Sequence, residues 1–120
     1  MHELGIAFHI IKEIDALAEE KSLSSVKGVT LEVGEVSGVV PRYLEDVWKW
    51  ACENRSKHMS GCKLTIVVTK GISYCKSCNK TYPTLPTGRK CPHCQSEDTY
   101  LVEGNEVLIQ SIQVDDESAE

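Results

Sequence analysis

The chain has 120 residues, 41% of them hydrophobic, which suffices for one ordinary domain, or for a small core carrying an insert too short to fold without help. Its longest apolar run is a few residues, so no segment can span a membrane, and Met1-His2-Glu3 opens nothing like a signal peptide; a cytosolic protein is expected. The net charge of -5 conceals a division, because residues 54–96 carry eight basic side chains and no Asp or Glu, leaving five basic against eighteen acidic side chains elsewhere.

In chain order, Leu4, Ala7, Phe8, Ile10, Ile11, Ile14, Leu17 and Ala18 fall at helical spacing, with Lys12, Glu13, Asp15, Glu19 and Glu20 around them. The pattern predicts an amphipathic helix from Glu3 to Lys21. Residues 22–25 break it, and Val29, Leu31 and Val33 then alternate with Thr30 and Glu32 as in a half-buried strand. Gly34 to Gly38 is a turn or bulge. Pro41 suits the first turn of a second helix, on which Leu44, Val47, Trp48 and Ala51 share one face. Trp48 is expected in the core, and Trp50, beside Tyr43 and Val47, at its edge. Residues 57–61 are a loop; Leu64, Ile66 and Val68 predict a second strand, and Leu108, Ile112 and Val114 a third within residues 107–114. Residues 115–120 form an acidic tail, expected to be disordered. These elements predict an α+β fold, two helices on a three-stranded sheet.

Between the second and third strands stand Cys75-Lys76-Ser77-Cys78 and Cys91-Pro92-His93-Cys94. Two residues within each pair and twelve between pairs allow two tight turns to face one another and aim four thiolates at one tetrahedral point. Zinc fits that point best, with an iron centre or a pair of redox disulfides as alternatives. The segment is a zinc-ribbon-like insert. Its few apolar side chains, mainly Tyr74, Tyr82, Leu85, Tyr100 and Leu101, are interrupted by Pro83, Pro86, Gly88 and Pro92. It cannot fold by burial, so metal must provide most of its folding free energy, on the order of 10 kcal/mol. Residues 1–72 and 104–120 are accordingly expected to form the core domain and 73–103 an inserted zinc domain. The basic side chains of the insert offset its anionic metal site, or form a docking face for an acidic partner. Cys52 and Cys62 are left over, as reduced thiols on a helix and at a strand edge.

The start of the chain holds a second candidate. A free amine at Met1, the amide nitrogen of His2 and its imidazole lie close enough to close fused chelate rings on one metal, with the Glu3 amide or carboxylate at a fourth corner. Nitrogen-rich, nearly planar coordination suits Ni(II) or Cu(II). In an arbitrary chain, a histidine at position two is more simply an exposed side chain on a fraying helix end.

Taken together, the opening Met1-His2-Glu3-Leu4, the stretch from Leu31 to Val36, Pro41 and Leu44 at a helix start, the two Cys-x-x-Cys pairs and Gly104-Asn105-Glu106 before the last strand resemble the HypA/HybF family of hydrogenase maturation factors. The likeness covers essentially the whole chain. It implies a nickel metallochaperone, not an enzyme, that helps insert Ni(II) into the large subunit of nickel-iron hydrogenase and in some bacteria serves urease. It also implies a partner GTPase, transferable Ni2+ at Met1, His2 and Glu3, and structural Zn2+ at Cys75, Cys78, Cys91 and Cys94. Some members of the family carry histidines just outside the cysteine pairs; here Asn79 and Gln95 follow them, so a zinc ligand swap through such histidines is not expected. His93 is expected to face solvent, and His9 and His58 to lie on the surface. A monomer or homodimer is compatible with the sequence.

Two other classes compete. A zinc-ribbon nucleic-acid-binding or protein-interaction module draws on the basic excess, but the whole chain is acidic and shows no dense Lys/Arg stripe interleaved with aromatics. A CxxC oxidoreductase would need exposed thiols of lowered pKa. No GxxxxGK[ST] loop occurs, so a nucleotide-driven step belongs to another protein.

Overall fold

The computed structural model describes residues 3–114; the expectations for Met1, His2 and the acidic tail lie outside them. The first helix, α1, runs Glu3–Glu20, and buries Ala7, Ile10, Ile11, Ile14 and Ala18 along one stripe. The chain turns at Ser22, in a left-handed conformation with φ of 57°, and enters β1 (Val26–Gly34). A second helix, α2 (Pro41–Arg55), buries Leu44, Trp48, Ala51 and Cys52, and Pro41 opens it as its fixed φ predicts. The strand β2 (Lys63–Thr69) follows.

Three short strands come next, β3 (Ile72–Cys75), β4 (Lys80–Pro83) and β5 (Thr99–Glu103), and the chain closes with β6 (Val107–Val114). There are two three-stranded sheets, ordered β2-β1-β6 and β4-β3-β5. In the first, β1 pairs with β2 in parallel, as a strand–helix–strand crossover through α2 requires, and with β6 antiparallel. Both helices and the inward residues Val29, Leu31 and Val33 of β1 belong to one apolar cluster with Met59 and Cys62. Trp48 is 3% exposed and its indole Nε1 donates to the Cys62 carbonyl at 3.1 Å, satisfying the ring's one polar atom inside the core. Trp50 stands half out of the surface against Phe8, ring centroids 6.3 Å apart, with the Arg55 guanidinium over the other ring.

Two strand residues depart from the alternation expected of them. Pairing of β6 with β1 slips between Ile109 and Ser111, so Gln110 is an extra residue. Such a bulge inverts the side-chain phase. Ile112 lies beside Val29, but Ile109 and Val107, rather than Leu108, lie beside Leu31 and Val33, and Leu108 points outward, half exposed. Val68 pairs with Val33 yet is 55% exposed, because β2 is an edge strand with no neighbour on its outer flank.

The two sheets meet at a neck of glycines. A Cβ on Gly34 would lie 2.0 Å from the Gly104 carbonyl oxygen, and one on Gly104 would lie 2.4 Å from the Gly71 Cα. Gly104 has φ of +98°, so only glycine meets both demands without strain. Glu35 pins the crossing: its carboxylate accepts from the Gly71 amide at 2.6 Å, while its own amide donates to the Thr69 carbonyl at 2.8 Å. No helix among the described residues is long and apolar enough to cross a membrane.

Candidate metal centre

The four paired cysteines converge. Cys75 ends β3, Cys78 follows in the turn to β4, and Cys91 and Cys94 lie in the loop before β5. Their sulfurs all fall within 4.8 Å of one another, the one cluster of potential metal ligands among the described residues. Cys75 and Cys94 Sγ are 3.5 Å apart, and Cys78 and Cys91 Sγ 3.7 Å. A tetrahedron of Zn–S bonds near 2.3 Å has edges of about 3.8 Å, so the donor set fits zinc with little adjustment.

The two turns are built alike. The amide of Asn79 donates to the Cys75 carbonyl at 2.9 Å, and that of Gln95 to the Cys91 carbonyl at 2.8 Å. Both donors are left-handed, with φ of 60° and 70°. Asn79 and Gln95, the residues just after the two pairs, therefore close the knuckles. Ser77 and Ser96 hydroxyls, 2.8 Å apart, join one turn to the other. The His93 amide donates to Cys91 Sγ at 3.3 Å, which helps hold a thiolate, while the His93 side chain is exposed as expected.

Burial divides the ligands: Cys75 and Cys91 are fully covered, Cys78 partly and Cys94 exposed. Four thiolates cannot coexist at this distance without a cation. Burial works against a charge on Cys75, but the Cys78 amide, the Cys94 thiol and the Ser77 amide outweigh it and bring its pKa down to about 7. Burial and the neighbouring thiols push Cys78 up to about 12. A dication would replace the protons held by such raised thiols, which makes metal loading proton-releasing. The apolar cluster around the centre consists, among the described residues, of Tyr82, Cys75 and Cys91, with Cys78 packed against it. Tyr82 is the one large side chain there, with its hydroxyl on the Gly88 carbonyl at 2.9 Å; Leu85 and Tyr100 are half exposed. Burial alone is too small to hold this sheet.

Of the residues expected to hold nickel, Glu3 is described and lies some way along the chain from the cysteine cluster, as the first residue of α1. It is 8% exposed, and its carboxylate accepts from the Val40 amide at 3.1 Å. Val40 caps α2 without a side-chain hydrogen bond of its own, and α2 has no acidic residue in its first turn. Glu3 thus supplies, from another helix, the acceptor that a glutamate three residues inside a helix ordinarily gives its cap, and negative charge where the helix dipole favours it. This contact was not legible from spacing, since 37 residues separate its ends.

The fold and the centre define a two-sheet α+β protein with a four-cysteine cluster whose donor geometry fits zinc. The chain belongs to the HypA family: the model described as "Hydrogenase/urease nickel incorporation, metallochaperone, hypA" matches residues 1–114. It is similar to the hydrogenase maturation factor HypA of Dehalococcoides mccartyi strain CBDB1, 37% identical over 120 residues with 98% of each chain covered. The HypA of Chlorobaculum parvum is 30% identical over 115 residues, covering 96% of this chain and all of that one. In fold it resembles the solution structure of the Ni metallochaperone HypA from Helicobacter pylori, at a TM-score of 0.73 and 23% identity, with 95% of this chain and 97% of that one covered.

Proposed function

We propose that this protein is a carrier, not a catalyst, that binds Ni(II) at Met1, His2 and Glu3 and delivers it during maturation of nickel-iron hydrogenase, while Zn2+ at Cys75, Cys78, Cys91 and Cys94 is structural. The observation that carries the reading is the family match from the first residue onward, joined to the closed geometry of the four-cysteine cluster. A closed tetrathiolate offers no open coordination position. A transferable metal needs another site, and the terminal amine, the His2 nitrogens and Glu3 offer donors suited to nickel. With the Glu3 carboxylate committed to Val40, its backbone nitrogen is the better fourth donor.

Residues 73–103 serve in this reading as an inserted zinc domain, whose Lys76, Lys80, Arg89 and Lys90 orient acidic partners by charge. Those partners are the GTPase of the maturation pathway and the hydrogenase large subunit; the same delivery extends to urease where that enzyme is present. The test is a nickel titration followed by the visible bands of planar Ni(II), comparing the native chain, His2→Ala and a chain with Gly-Ser fused before Met1. Loss of binding in both altered chains is expected, and unchanged binding in the extended chain would rule out the amine ligand.

A further inference from the structure

Cys52 and Cys62 have no place in either metal site, yet the fold brings them into one apolar cluster at the junction of α2 and β2. Cys52 lies in the last turns of α2 and Cys62 immediately before β2. Both line one pocket of about 240 Å3, together with Lys49, Glu53, Gly61 and Lys63. The backbone at Cys62 is clamped from two sides by α2. Trp48, one turn before Cys52, donates its indole N–H to the Cys62 carbonyl at 3.1 Å. Glu53, next to Cys52, accepts the Gly61 amide at 2.9 Å. The two thiols are 1% and 7% exposed, so large reagents are kept out, while a small solute can enter the pocket between them.

From this geometry we infer that Cys52 and Cys62 are a peroxide-reactive dithiol, a thiol-modification site separate from the zinc centre, that closes to a disulfide joining the end of α2 to the head of β2. Cys62 is the more exposed of the two, and its interaction with Cys52 lowers its pKa while raising that of Cys52, so Cys62 is the attacking sulfur. The Cys62 thiolate attacks one oxygen of hydrogen peroxide; the O–O bond breaks, and the departing hydroxide takes a proton from solvent to become water. The resulting sulfenic acid is attacked by Cys52 sulfur, whose proton leaves with the displaced hydroxide as the second water. Two thiols lose two protons and two electrons, and one hydrogen peroxide is reduced to two waters.

The experiment treats the zinc-loaded full chain with a small excess of hydrogen peroxide, removes the peroxide with catalase, caps free thiols with N-ethylmaleimide in denaturant and maps the peptides by mass. The expected product is a cross-linked peptide pair joining Cys52 to Cys62, reversed by dithiothreitol, formed before any zinc reaches a chromophoric chelator. Dimedone, added as the peroxide-treated chain is denatured, should label Cys62 in Cys52→Ala and leave Cys52 unlabelled in Cys62→Ala. Oxidation of Cys75, Cys78, Cys91 or Cys94 while Cys52 and Cys62 remain open to capping would overturn the inference, as would dimedone on Cys52 instead of Cys62. The mapping of the unaltered chain decides the matter even if an alanine variant does not fold.

Discussion

The Glu3 carboxylate accepts the amide of Val40, 3.1 Å away, and so fastens the first residue of one helix to the cap of the other. Glu3→Ala would leave that amide and the start of α2 without their acceptor. We expect a loss of about 1–2 kcal/mol in urea unfolding of the zinc-loaded protein. Glu3→Gln retains an oxygen acceptor but not the charge, and should lose less. Equal stability of all three proteins would show that the contact carries no weight.

Replacing Cys75, Cys78, Cys91 or Cys94 by serine should unfold the small sheet and spare the large one. Metal contributes on the order of 10 kcal/mol in domains of this size, and little apolar burial opposes the loss. Hydrogen exchange should show protection vanishing across β3, β4 and β5 and persisting in β1 and β2. Because Cys94 is the exposed ligand, a strong chelator should reproduce the same pattern in the unaltered chain.

Two glycines separate backbone strain from crowding. Gly61 has φ of +73° with nothing within 4 Å of an added Cβ, so Gly61→Ala should cost about 1–2 kcal/mol, the penalty of the left-handed region alone. Gly104→Ala adds a collision with the Gly71 backbone and should cost several times as much, or prevent folding of the neck. Chemical denaturation of the two variants side by side measures the difference.

His58 and Glu19 set a pH window. His58 Nε2 lies 3.0 Å from the Glu19 carboxylate, and Nδ1 lies 3.3 Å from the Ser24 carbonyl. Only the protonated ring can donate to both, so the His58 pKa is raised from its ordinary 6.5 by Glu19 and then Ser24. That of Glu19 is lowered from 4.5, chiefly by His58 and then by Lys57. The histidine contribution is complete below 6.5 and is lost as pH rises through the raised value; the carboxylate contribution is complete above 4.5 and is lost as pH falls through the lowered one. The melting-temperature gap between the native chain and His58→Gln should therefore peak between 4.5 and 6.5 and shrink on either side.

Periodicity revealed both helices and β1, because each buries one face over several turns or pleats. Cysteine spacing revealed the metal cluster, because ligand geometry is nearly all that the segment has. Leu108 was misread since a bulge at Gln110 shifts the alternation without leaving a local signature, and β3 to β5 escaped notice because their strands carry little apolar patterning. His58 was taken as a plain surface residue, since it lies in the loop after α2 and its partner Glu19 is on α1, 39 positions earlier. The contacts of Glu3 with Val40 and of Glu35 with Gly71 join residues 37 and 36 positions apart. No window of sequence contains both ends of such a pair.

The glycine neck governs how the molecule can flex. A module hung on a single linker can spin about it, but here an outgoing and a returning segment cross backbone to backbone at Gly71 and Gly104. Twisting would have to pry them apart, whereas bending across the crossing would not. In a body 56 Å long and 17 Å thin, a few degrees of bend at that point would sweep the four-cysteine end through several ångströms along one arc, so a partner gripping both ends would meet motion in essentially one direction.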